Sequence, residues 1–599
     1  MNSSKQSILI LLFFIFQIAI GQEIGLPYKI HSHNDYKQKV PFWTAYSCGL
    51  NSIEIDVILK NDTLFVAHDE VDITSFNTIE NLYLDPIQKT FQLTPQSYQQ
   101  IQLLIDIKTE AIATLKTLIN TLKLYPDITN SEHISFIVSG NQPKPESYNN
   151  YPSFIKFDYQ NLKPLSEEAL NKVGLISLPF SKFSNWNGKG RLTKEDHKKV
   201  SEIINKAHSF NKPFRFWGCP DSKTAWKAFA ELGVDYINTD MPYTASTYIH
   251  SLSDRIHRNT FYSTVYKPTF HSIKKNQGVK NIILMIGDGY GLSQISAAAL
   301  SNHGELTLTQ LKSIGLLKTQ AADDFTTDSA AAGTAIATGE KTYNRSIGMN
   351  INRVPIENMT ELLNKKNYNT GFITTDVITG ATPSAFYAHQ LDRDMTKEIA
   401  SDLIKSNISL FMGGGASSYS DIFVNSNFTI LNSLNEIASS KKKKVGYFLS
   451  EKGVPSINSG RDHILAEATK TGLEYFSNQN KPFFLMIEAA QIDSFGHRND
   501  ISGIVTEAID FDKAITEAIK YADTHKNTLV IITADHETSG LSIPQGNLES
   551  NKVEGDFSTY DHTGVMVPIF AYGPKSEVFT GVYENNEVFH KIKDVLNIK

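Results

Sequence analysis

The feature that most constrains the fold is a regular alternation of short apolar segments and amphipathic segments between Tyr28 and Tyr248. Apolar stretches such as "SIEIDVIL" and "HISFIVSG" have the length and β-branched content of buried strands. They alternate with helical patterns such as "EAIATLKTLINTLKLY" and "LTKEDHKKVSEIINKAHSF". Repeated strand-then-helix units predict a (β/α) barrel of the TIM type, whose chemistry lies at the carboxyl ends of its strands.

A second alternation begins abruptly at Asn281 with "NIILMIGDGYG". Later apolar runs, among them "PFFLMIEAAQID" and "TLVIITADHE", are typical of buried parallel strands, and each ends in polar or glycine residues. This pattern predicts an α/β/α sandwich around a central, mostly parallel sheet, with a ligand crevice at the strand ends. Because the residues between the two patterns lack a clear period, we expect a barrel over 22–250, a linker over 251–278 and a second domain over 279–599.

The first residues have the pattern of a secretory signal peptide. A single Lys5 precedes an apolar stretch from Ile8 to Ile20, which is short for a bilayer core of roughly 30 Å. The small residues at its end fit a cleavage site, so we expect residues 1–21 to be removed and the protein to be periplasmic or secreted. The alternative is an uncleaved anchor.

Composition narrows the class of function. With a net charge of −6, the chain of 599 residues has no dominant basic field, which argues against a nucleic-acid partner. Export permits disulfides, and the sequence leaves open whether Cys48 and Cys219 pair.

Metal-ligating residue types occur at the ends of the predicted strands of the second domain. These carboxylates and imidazoles are Asp288, Glu488, Asp493, His497, Asp535, His536 and His562. Mixed carboxylate and imidazole ligands suit Zn²⁺, whereas an all-oxygen set suits Mg²⁺. Singly, each residue has an ordinary structural explanation, such as a DG turn for Asp288. At successive strand ends, together they indicate a metal centre.

The stretch "TTDSAAAGTAIATGEKTYN" adds a hydroxyl to these ligands. An Asp or Ser before an Ala-rich helix is a common N-cap, and the N-terminus of a helix also favours a bound phosphate. We expect Ser329 to serve both as the cap and as a nucleophile.

On these motifs the C-terminal half resembles the alkaline phosphatase family over nearly all of residues 279–599. Further motifs that carry the resemblance are "ATPSAFYAHQLDR", "IEAAQIDSFGH", "TADHETSG" and "HTGVMVPIFAYGP". The resemblance implies hydrolysis of phosphate monoesters through a phosphorylated Ser329, with Arg393 binding the phosphate. The metal sites that it implies are one zinc on Asp493, His497 and His562, a second zinc on Asp288, Asp535 and His536, and a magnesium shared by Asp288, Thr382 and Glu488. A homodimer is left open.

Two positions depart from that family's pattern. Family members often carry Asp or His two residues before the magnesium-binding Thr, where this chain has Gly380. They often carry Lys, His or Trp after the zinc-binding Asp, where this chain has Ser494. We expect both departures to affect the third metal, the pH optimum and the affinity for phosphate.

The barrel half has its own set of chemical residues at successive predicted strand ends. Glu54 and Asp56 are two residues apart and therefore share one strand face. The neighbouring strand ends carry His31, His33, His68, Asp106 and Lys108. Salt bridges at the barrel mouth are the structural alternative, but the set suits one divalent cation, Mg²⁺ or Ca²⁺, with histidines as acid and base.

This half resembles the phospholipase C-like phosphodiesterase superfamily, which includes glycerophosphodiester phosphodiesterases and sphingomyelinase D enzymes. The family's usual His-Arg-Gly opening is absent. The roles that the resemblance implies are cation binding by Glu54, Asp56 and Asp106, phosphate contact by Lys108, acid–base chemistry by His68 with His31 or His33, and a pocket wall at Trp217. Of the two alternative histidines we prefer His31, and Asp240 is a further candidate.

The sequence therefore predicts an exported enzyme that acts on small-molecule phosphate esters. Its barrel would cleave phosphodiesters, with phospholipid-derived substrates included, and its second domain would hydrolyse monoesters. Two alternatives stay open: the barrel could be a non-catalytic binding module, and the second domain could act mainly on diesters or sulfate esters.

Overall fold

The structure is a computed structural model that describes residues 28–271, 278–424 and 426–598. The chain divides into two compact units between Ser251 and Leu252. The signal peptide predicted over 1–21 lies outside the described residues. No helix within the described ranges is both long and apolar enough to cross a membrane.

The first unit is a closed barrel, which confirms the predicted fold. Its strands are β1 (Lys29–Ser32), β2 (Ser52–Lys60), β3 (Thr63–Val66), β4 (Ile101–Ile107), β5 (Ile134–Gly140), β6 (Ile155–Tyr159), β7 (Val173–Pro179), β8 (Phe214–Trp217) and β9 (Tyr236–Thr239). In residues 28–251, eight of them run parallel in the order β1-β9-β8-β7-β6-β5-β4-β2, and pairing of β1 with β2 closes the barrel. Strand β3 pairs with β2 in the antiparallel direction.

Amphipathic helices follow the barrel strands. They are α1 (Trp43–Ser47), α2 (Asp85–Leu93), α3 (Ala111–Leu122), α4 (Pro126–Thr129), α5 (Glu167–Asn171), α6 (Lys194–His208), α7 (Lys223–Leu232) and α8 (Pro242–His250). Helix α6 shows the reason for their formation: Val200, Ile204 and Ala207 recur at helical spacing and are buried, and the Thr193 side chain caps its N-terminus. Cys48 and Cys219 are both free thiols.

The second unit is built on a large mixed, mostly parallel sheet, as predicted. The strands of this unit are β10 (Ile256–Arg258), β11 (Asn281–Gly287), β12 (Ser313–Lys318), β13 (Asn369–Val377), β14 (Leu410–Gly414), β15 (Thr429–Ile430), β16 (Val445–Ser450), β17 (Phe483–Ala489), β18 (Thr528–Ala534), β19 (Glu537–Thr538), β20 (Ser542–Asn547), β21 (Lys552–Asp556), β22 (His562–Thr563), β23 (Val567–Tyr572) and β24 (Gly581–Glu584). The order in the main sheet is β15-β16-β14-β13-β17-β11-β18-β23-β12-β24.

Helices separate and flank the strands of the second unit. They are α9 (Leu252–Arg255), α10 (Leu292–Ser301), α11 (Ser329–Thr338), α12 (Met359–Lys365), α13 (Ala381–Ser384), α14 (Thr396–Lys405), α15 (Ala416–Tyr419), α16 (Leu434–Ser439), α17 (Ile464–Asn478), α18 (Gln491–Gly496), α19 (Ile501–Thr524) and α20 (Glu587–Val595). Every residue of β11, β17 and β18 is buried, which explains their continuous apolar sequences.

Part of the stretch treated above as a linker packs on the second unit. Strand β10 pairs antiparallel with β21. The buried Asn259 side chain donates hydrogen bonds to the backbone carbonyls of Phe261 and Ser301. These backbone and amide contacts require no apolar periodicity, which is why the sequence pattern does not reveal them.

Candidate active sites in the barrel and the sheet

The barrel's three predicted cation ligands come together at one point of its mouth. Strands β2 and β4 pair in parallel with Asp56 opposite Asp106, and Glu54 lies two residues earlier on the same face. One carboxylate oxygen from each of these residues lies within 4.8 Å of the others. An all-oxygen set of this kind fits Mg²⁺ or Ca²⁺.

Lys108 and His68 lie beside these carboxylates. The Lys108 ammonium is 3.2 Å from an oxygen of Asp56 and 3.2 Å from an oxygen of Asp106. The Nδ1 atom of His68 lies 2.7 Å from Asp56 Oδ2, so its Nε2 atom is turned away from the carboxylate. Gly140 leaves room for the Asp106 carboxylate, because a Cβ at position 140 would lie 2.2 Å from Asp106 Oδ1. Lys108 and His68 therefore both contact the carboxylates of the candidate cation site.

His31 and His33 have opposite environments. The His31 side chain is fully buried, and its two ring nitrogens contact Ser52 Oγ at 2.7 Å and Glu54 Oε2 at 2.6 Å. Burial, followed by the nearby Arg215 guanidinium, lowers the pKa of His31 to about 3. His31 therefore holds the Glu54 carboxylate in place, and neither of its ring nitrogens is free for a substrate.

His33 is the more accessible of the two. Its side chain is 30% exposed, its Nε2 atom is 3.9 Å from Glu54 Oε1, and its Nδ1 atom is 2.6 Å from Asp240 Oδ1. Although burial lowers the pKa of His33, the hydrogen bond to Asp240 and the charge of Glu54 raise it overall. This geometry favours His33, in place of the preferred His31, for contact with a substrate. Trp217 ends β8 and is 40% exposed, as a pocket wall at the mouth requires.

In the second unit, parallel strand ends gather the predicted ligands. Gly287 at the end of β11 pairs with Ala489 of β17 and with Ala534 of β18. The residues that follow these positions, Asp288 and Asp535 among them, therefore leave the sheet side by side. This juxtaposition is the reason why ligands more than two hundred positions apart in the chain meet.

The first group consists of Asp493, His497 and His562. The Nε2 atom of His497 lies 3.3 Å from Asp493 Oδ2 and 3.1 Å from His562 Nε2. His562 Nε2 is 3.5 Å from Asp493 Oδ1. Asp493 belongs to α18 and His497 follows one turn later, so the helix presents both on one face.

The second group consists of Asp288, Asp535 and His536, all of them buried. His536 Nε2 lies 3.5 Å from Asp288 Oδ1 and 3.2 Å from Asp535 Oδ2. The oxygen atoms Asp288 Oδ1, Asp535 Oδ2 and Thr382 Oγ1 are buried without a hydrogen-bond partner. Burial, followed by the charge of Asp535, raises the pKa of Asp288 well above its usual value. Cations would satisfy these oxygens and neutralise the buried charge.

The histidines are oriented as metal ligands. His562 Nδ1 donates to the Thr327 carbonyl at 2.7 Å, and His497 Nδ1 donates to the Tyr560 carbonyl at 2.6 Å. Hydrogen bonds of this kind hold the tautomer that leaves Nε2 free to bind a metal. The donor types and their orientation therefore fit zinc.

Ser329 is the first residue of α11 and lies beside the second group. Its Oγ atom is 3.3 Å from His536 Nε2. The N-cap is Asp328, whose Oδ1 atom accepts a hydrogen bond from the Ala331 amide at 2.9 Å. The prediction that Ser329 also caps the helix is therefore wrong: the aspartate takes that position, and the serine hydroxyl is left for chemistry.

Arg393 contacts Asp328, the residue that precedes Ser329. Its Nη1 atom donates to Asp328 Oδ2 at 3.1 Å, and about a third of the side chain is exposed. The cap residue thus holds the guanidinium near the N-terminus of α11. The rest of the guanidinium fork is available to an anion.

Comparison with known proteins identifies the family of the second unit. The family model described as alkaline phosphatase matches residues 279–429, 432–552 and 545–598, which is more than half of the chain. The chain belongs to the alkaline phosphatase family. Alkaline phosphatase 4 of Bacillus subtilis (strain 168) is 28% identical over 409 residues, which cover 53% of this chain and 89% of that protein. Alkaline phosphatase of Escherichia coli (strain K12) is 28% identical over 408 residues, which cover 53% of this chain and 86% of the relative.

A solved alkaline phosphatase from the Antarctic bacterium TAB5 is also similar, with a TM-score of 0.51 and 40% identity over 54% of this chain and 99% of that chain. The barrel matches other families. Residues 20–101 match a family described as an AIM6-like phosphodiesterase domain, and residues 213–243 match the glycerophosphoryl diester phosphodiesterase family. The chain therefore combines an alkaline phosphatase domain with a phosphodiesterase-like barrel.

Sequence reasoning missed several residues at these sites. In the barrel, Arg215 is buried and its guanidinium contacts Glu54 and His31, and Tyr36 donates to Asp56 Oδ2 at 2.8 Å. The basic residue inside the apolar strand "FRFW" was a usable signal for Arg215. In the phosphatase domain, Thr538 Oγ1 donates to Asp493 Oδ1 at 2.5 Å. A short hydroxyl side chain carries no such signal.

Proposed function

We propose that this protein is an exported phosphoesterase with two active sites, an alkaline phosphatase that hydrolyses phosphate monoesters and a barrel that cleaves phosphodiesters. One observation supports the phosphatase reaction more strongly than any other observation does. The Ser329 hydroxyl is at the N-terminus of α11, 3.3 Å from the His536 nitrogen that belongs to a metal-ligating group. A nucleophile beside a metal at a helix N-terminus suits attack on a phosphate.

The donor groups fit the metals implied by the family. The two carboxylate–imidazole groups would each hold a zinc ion, and Glu488 and Thr382 with Asp288 would hold a magnesium ion. When bound, these ions lower the pKa of an adjacent hydroxyl or water and neutralise charge on the phosphate.

The side chains divide the reaction between them. Ser329 Oγ attacks the phosphorus atom and releases its proton to solvent. The bond to the leaving oxygen breaks, the leaving group takes up a proton from water and departs as the alcohol, and a phosphoserine remains. A water then attacks this phosphoserine and releases inorganic phosphate and the free serine. The backbone N–H groups of α11 and the planar fork of Arg393 bind the non-bridging oxygens, and Asp328 orients that fork.

In the barrel, Glu54, Asp56 and Asp106 would hold Mg²⁺ or Ca²⁺, and Lys108 would contact the phosphate. His33 and His68 would act as acid and base, because a carboxylate orients each ring through its Nδ1 atom and leaves Nε2 for the substrate. A monoester released by the barrel is a substrate for the phosphatase domain. Phospholipid-derived diesters fit such a sequence of reactions.

A two-substrate assay tests both assignments. We expect Ser329→Ala to reduce hydrolysis of an aryl phosphate by about 10³-fold or more and to leave hydrolysis of a bis-aryl phosphate diester unchanged. We expect Asp56→Asn to have the opposite pattern, and chelation to remove both activities. The same assay with an aryl sulfate tests the sulfatase alternative.

Either of two results would contradict the proposal. Full monoesterase activity in Ser329→Ala would remove the serine from its role. If Asp56→Asn retained the diesterase activity while Ser329→Ala lost it, the barrel would be a binding module and the phosphatase domain would cleave both esters.

Export is a further part of the proposal, and it is supported by the apolar pattern of residues 8–20. Expression of the full chain in a bacterium, followed by mass analysis of the periplasmic or secreted fraction, tests it. We expect a mature protein that begins at Gln22. Retention of the intact chain in the membrane fraction would favour the anchor instead.

A further inference from the structure

Gly380 precedes the buried Thr382 by two residues, and the structure shows what occupies the space that a side chain at this position would take. Its backbone angles, φ −55° and ψ 156°, are available to any residue, so conformation does not require glycine here. Space does. A Cβ at Gly380 would lie 2.3 Å from Oδ2 of Asp376 and 2.9 Å from its Cγ atom. The Asp376 carboxylate therefore fills the volume into which a side chain at 380 would project.

Asp376 reaches this volume from β13. Two residues earlier on the same strand, Thr374 pairs in register with Glu488 of β17, and its hydroxyl donates to Glu488 Oε2. The same Thr374 oxygen accepts a hydrogen bond from the Asp376 amide at 2.8 Å, which places Asp376 next to the pair of Thr374 and Glu488. Burial, followed by the negative charge of Asp376, raises the pKa of Glu488 to about 8.

The two oxygens of Asp376 have different surroundings. Its Oδ1 atom accepts a hydrogen bond from the Val377 amide at 2.7 Å. Its Oδ2 atom is the one turned toward Gly380. Asp376 also lies within electrostatic range of Arg393 and Asp493.

Two buried oxygen atoms of the proposed magnesium site lack a hydrogen-bond partner. The Thr382 side chain is 1% exposed and its hydroxyl has no hydrogen-bond partner, and the same holds for Asp288 Oδ1, whose residue is 7% exposed. Buried polar atoms in this state require a ligand. Thr382 follows Gly380 by two residues, and Asp288 directly follows β11, the strand next to β17. Together with Asp376 and Glu488, these oxygens point to a cation.

We propose that Asp376 replaces the side chain missing at position 380 and holds the magnesium ion together with Glu488, Thr382 and Asp288. The inference rests on the proposed phosphatase function and deepens it, because it adds a third carboxylate to a site whose other donors are also oxygens. Hard oxygen donors select Mg²⁺, whereas an imidazole at position 380 would also suit zinc. The third site of this protein should therefore prefer magnesium to zinc.

The test measures magnesium binding to the zinc-loaded full chain by calorimetry, with metal content determined by elemental analysis. We expect Asp376→Asn and Asp376→Ala to weaken Mg²⁺ binding by about 10- to 100-fold while two zinc ions per chain are retained. The double variant Asp376→Ala/Gly380→Asp moves the carboxylate to the other side of the same space. It should restore Mg²⁺ affinity to within a few fold of wild type.

Asp421→Asn is the matched control, because Asp421 is exposed and the change is the same. It should leave Mg²⁺ binding unchanged. Unchanged binding in the two Asp376 variants would overturn the inference, and so would a loss that the double variant fails to recover. A wild-type protein that binds no zinc and lacks monoesterase activity would instead overturn the proposed function, so the two failures are distinct.

Discussion

At the scale of single residues, the two histidines at the start of the barrel differ in what surrounds them. His31 is enclosed by Ser52, Glu54 and Arg215, whereas His33 opens to the mouth and is paired with Asp240. A buried ring that makes two hydrogen bonds stabilises its neighbours. An accessible ring with an oriented nitrogen is suited to proton transfer.

These environments predict separate effects of mutation. We expect His33→Asn to lower kcat for a phosphodiester by about 10²- to 10⁴-fold with little change in melting temperature. We expect His31→Asn to lower the melting temperature, because it leaves buried partners unsatisfied. His197→Asn, at an exposed position of α6, is the control. Equal diesterase activity in His33→Asn and wild type would contradict the acid–base role of His33.

At the scale of elements, α11 explains the run of small residues that follows Ser329. All ten of its residues are buried, and a Cβ on Gly333 would approach the Cβ of Ala385, the residue that follows α13, to 3.3 Å. Because the helix is closely packed on every side, it can occupy only one position in the fold. The small residues therefore serve to fix the N-terminus that carries the nucleophile.

This packing predicts that the helix does not tolerate larger side chains. Ala337 is fully buried in α11, and we expect Ala337→Leu to destabilise the protein by about 1–3 kcal/mol through overpacking. Chemical denaturation measures the change. Ala113→Leu, at an exposed position of α3, should have almost no effect. Equal stability of the two variants would show that α11 has room to adjust.

At the scale of the whole molecule, the phosphatase domain contains buried acidic groups that favour their protonated form in the absence of cations. The pKa values of Asp288 and Glu488 are raised, in each case first by burial and then by a neighbouring carboxylate, and that of Glu488 reaches about 8. The hydrogen bond to Asp493 raises the pKa of His497 to about 9. All three groups bind a proton more tightly in the folded state than in the unfolded state.

The consequence is a pH-dependent stability of the metal-free protein. These groups stabilise the folded state fully at pH values below their pKa values in the unfolded chain. This stabilisation is lost as the pH rises through their pKa values in the folded protein. We therefore expect the chelated protein to melt at a lower temperature at pH 9 than at pH 7. This range lies above the pH at which His31 and His536, whose pKa values are lowered by burial, have the opposite effect. Protein loaded with zinc and magnesium should not show this loss, because the cations stabilise the ionised ligands. The same decrease in both forms, measured by thermal unfolding, would contradict this account.

The sequence by itself determined the two folds and the residue types of both sites. Alternating apolar and amphipathic segments predicted the barrel and the sheet, and parallel strands end at a common edge, so the ligands at those ends could be proposed before any coordinates. Only the tertiary structure decided that Asp328 caps α11, that His33 faces the mouth, and that Asp376 fills the space at Gly380. These features depend on burial and on distances between residues of different elements, and a periodic pattern along one segment does not contain them.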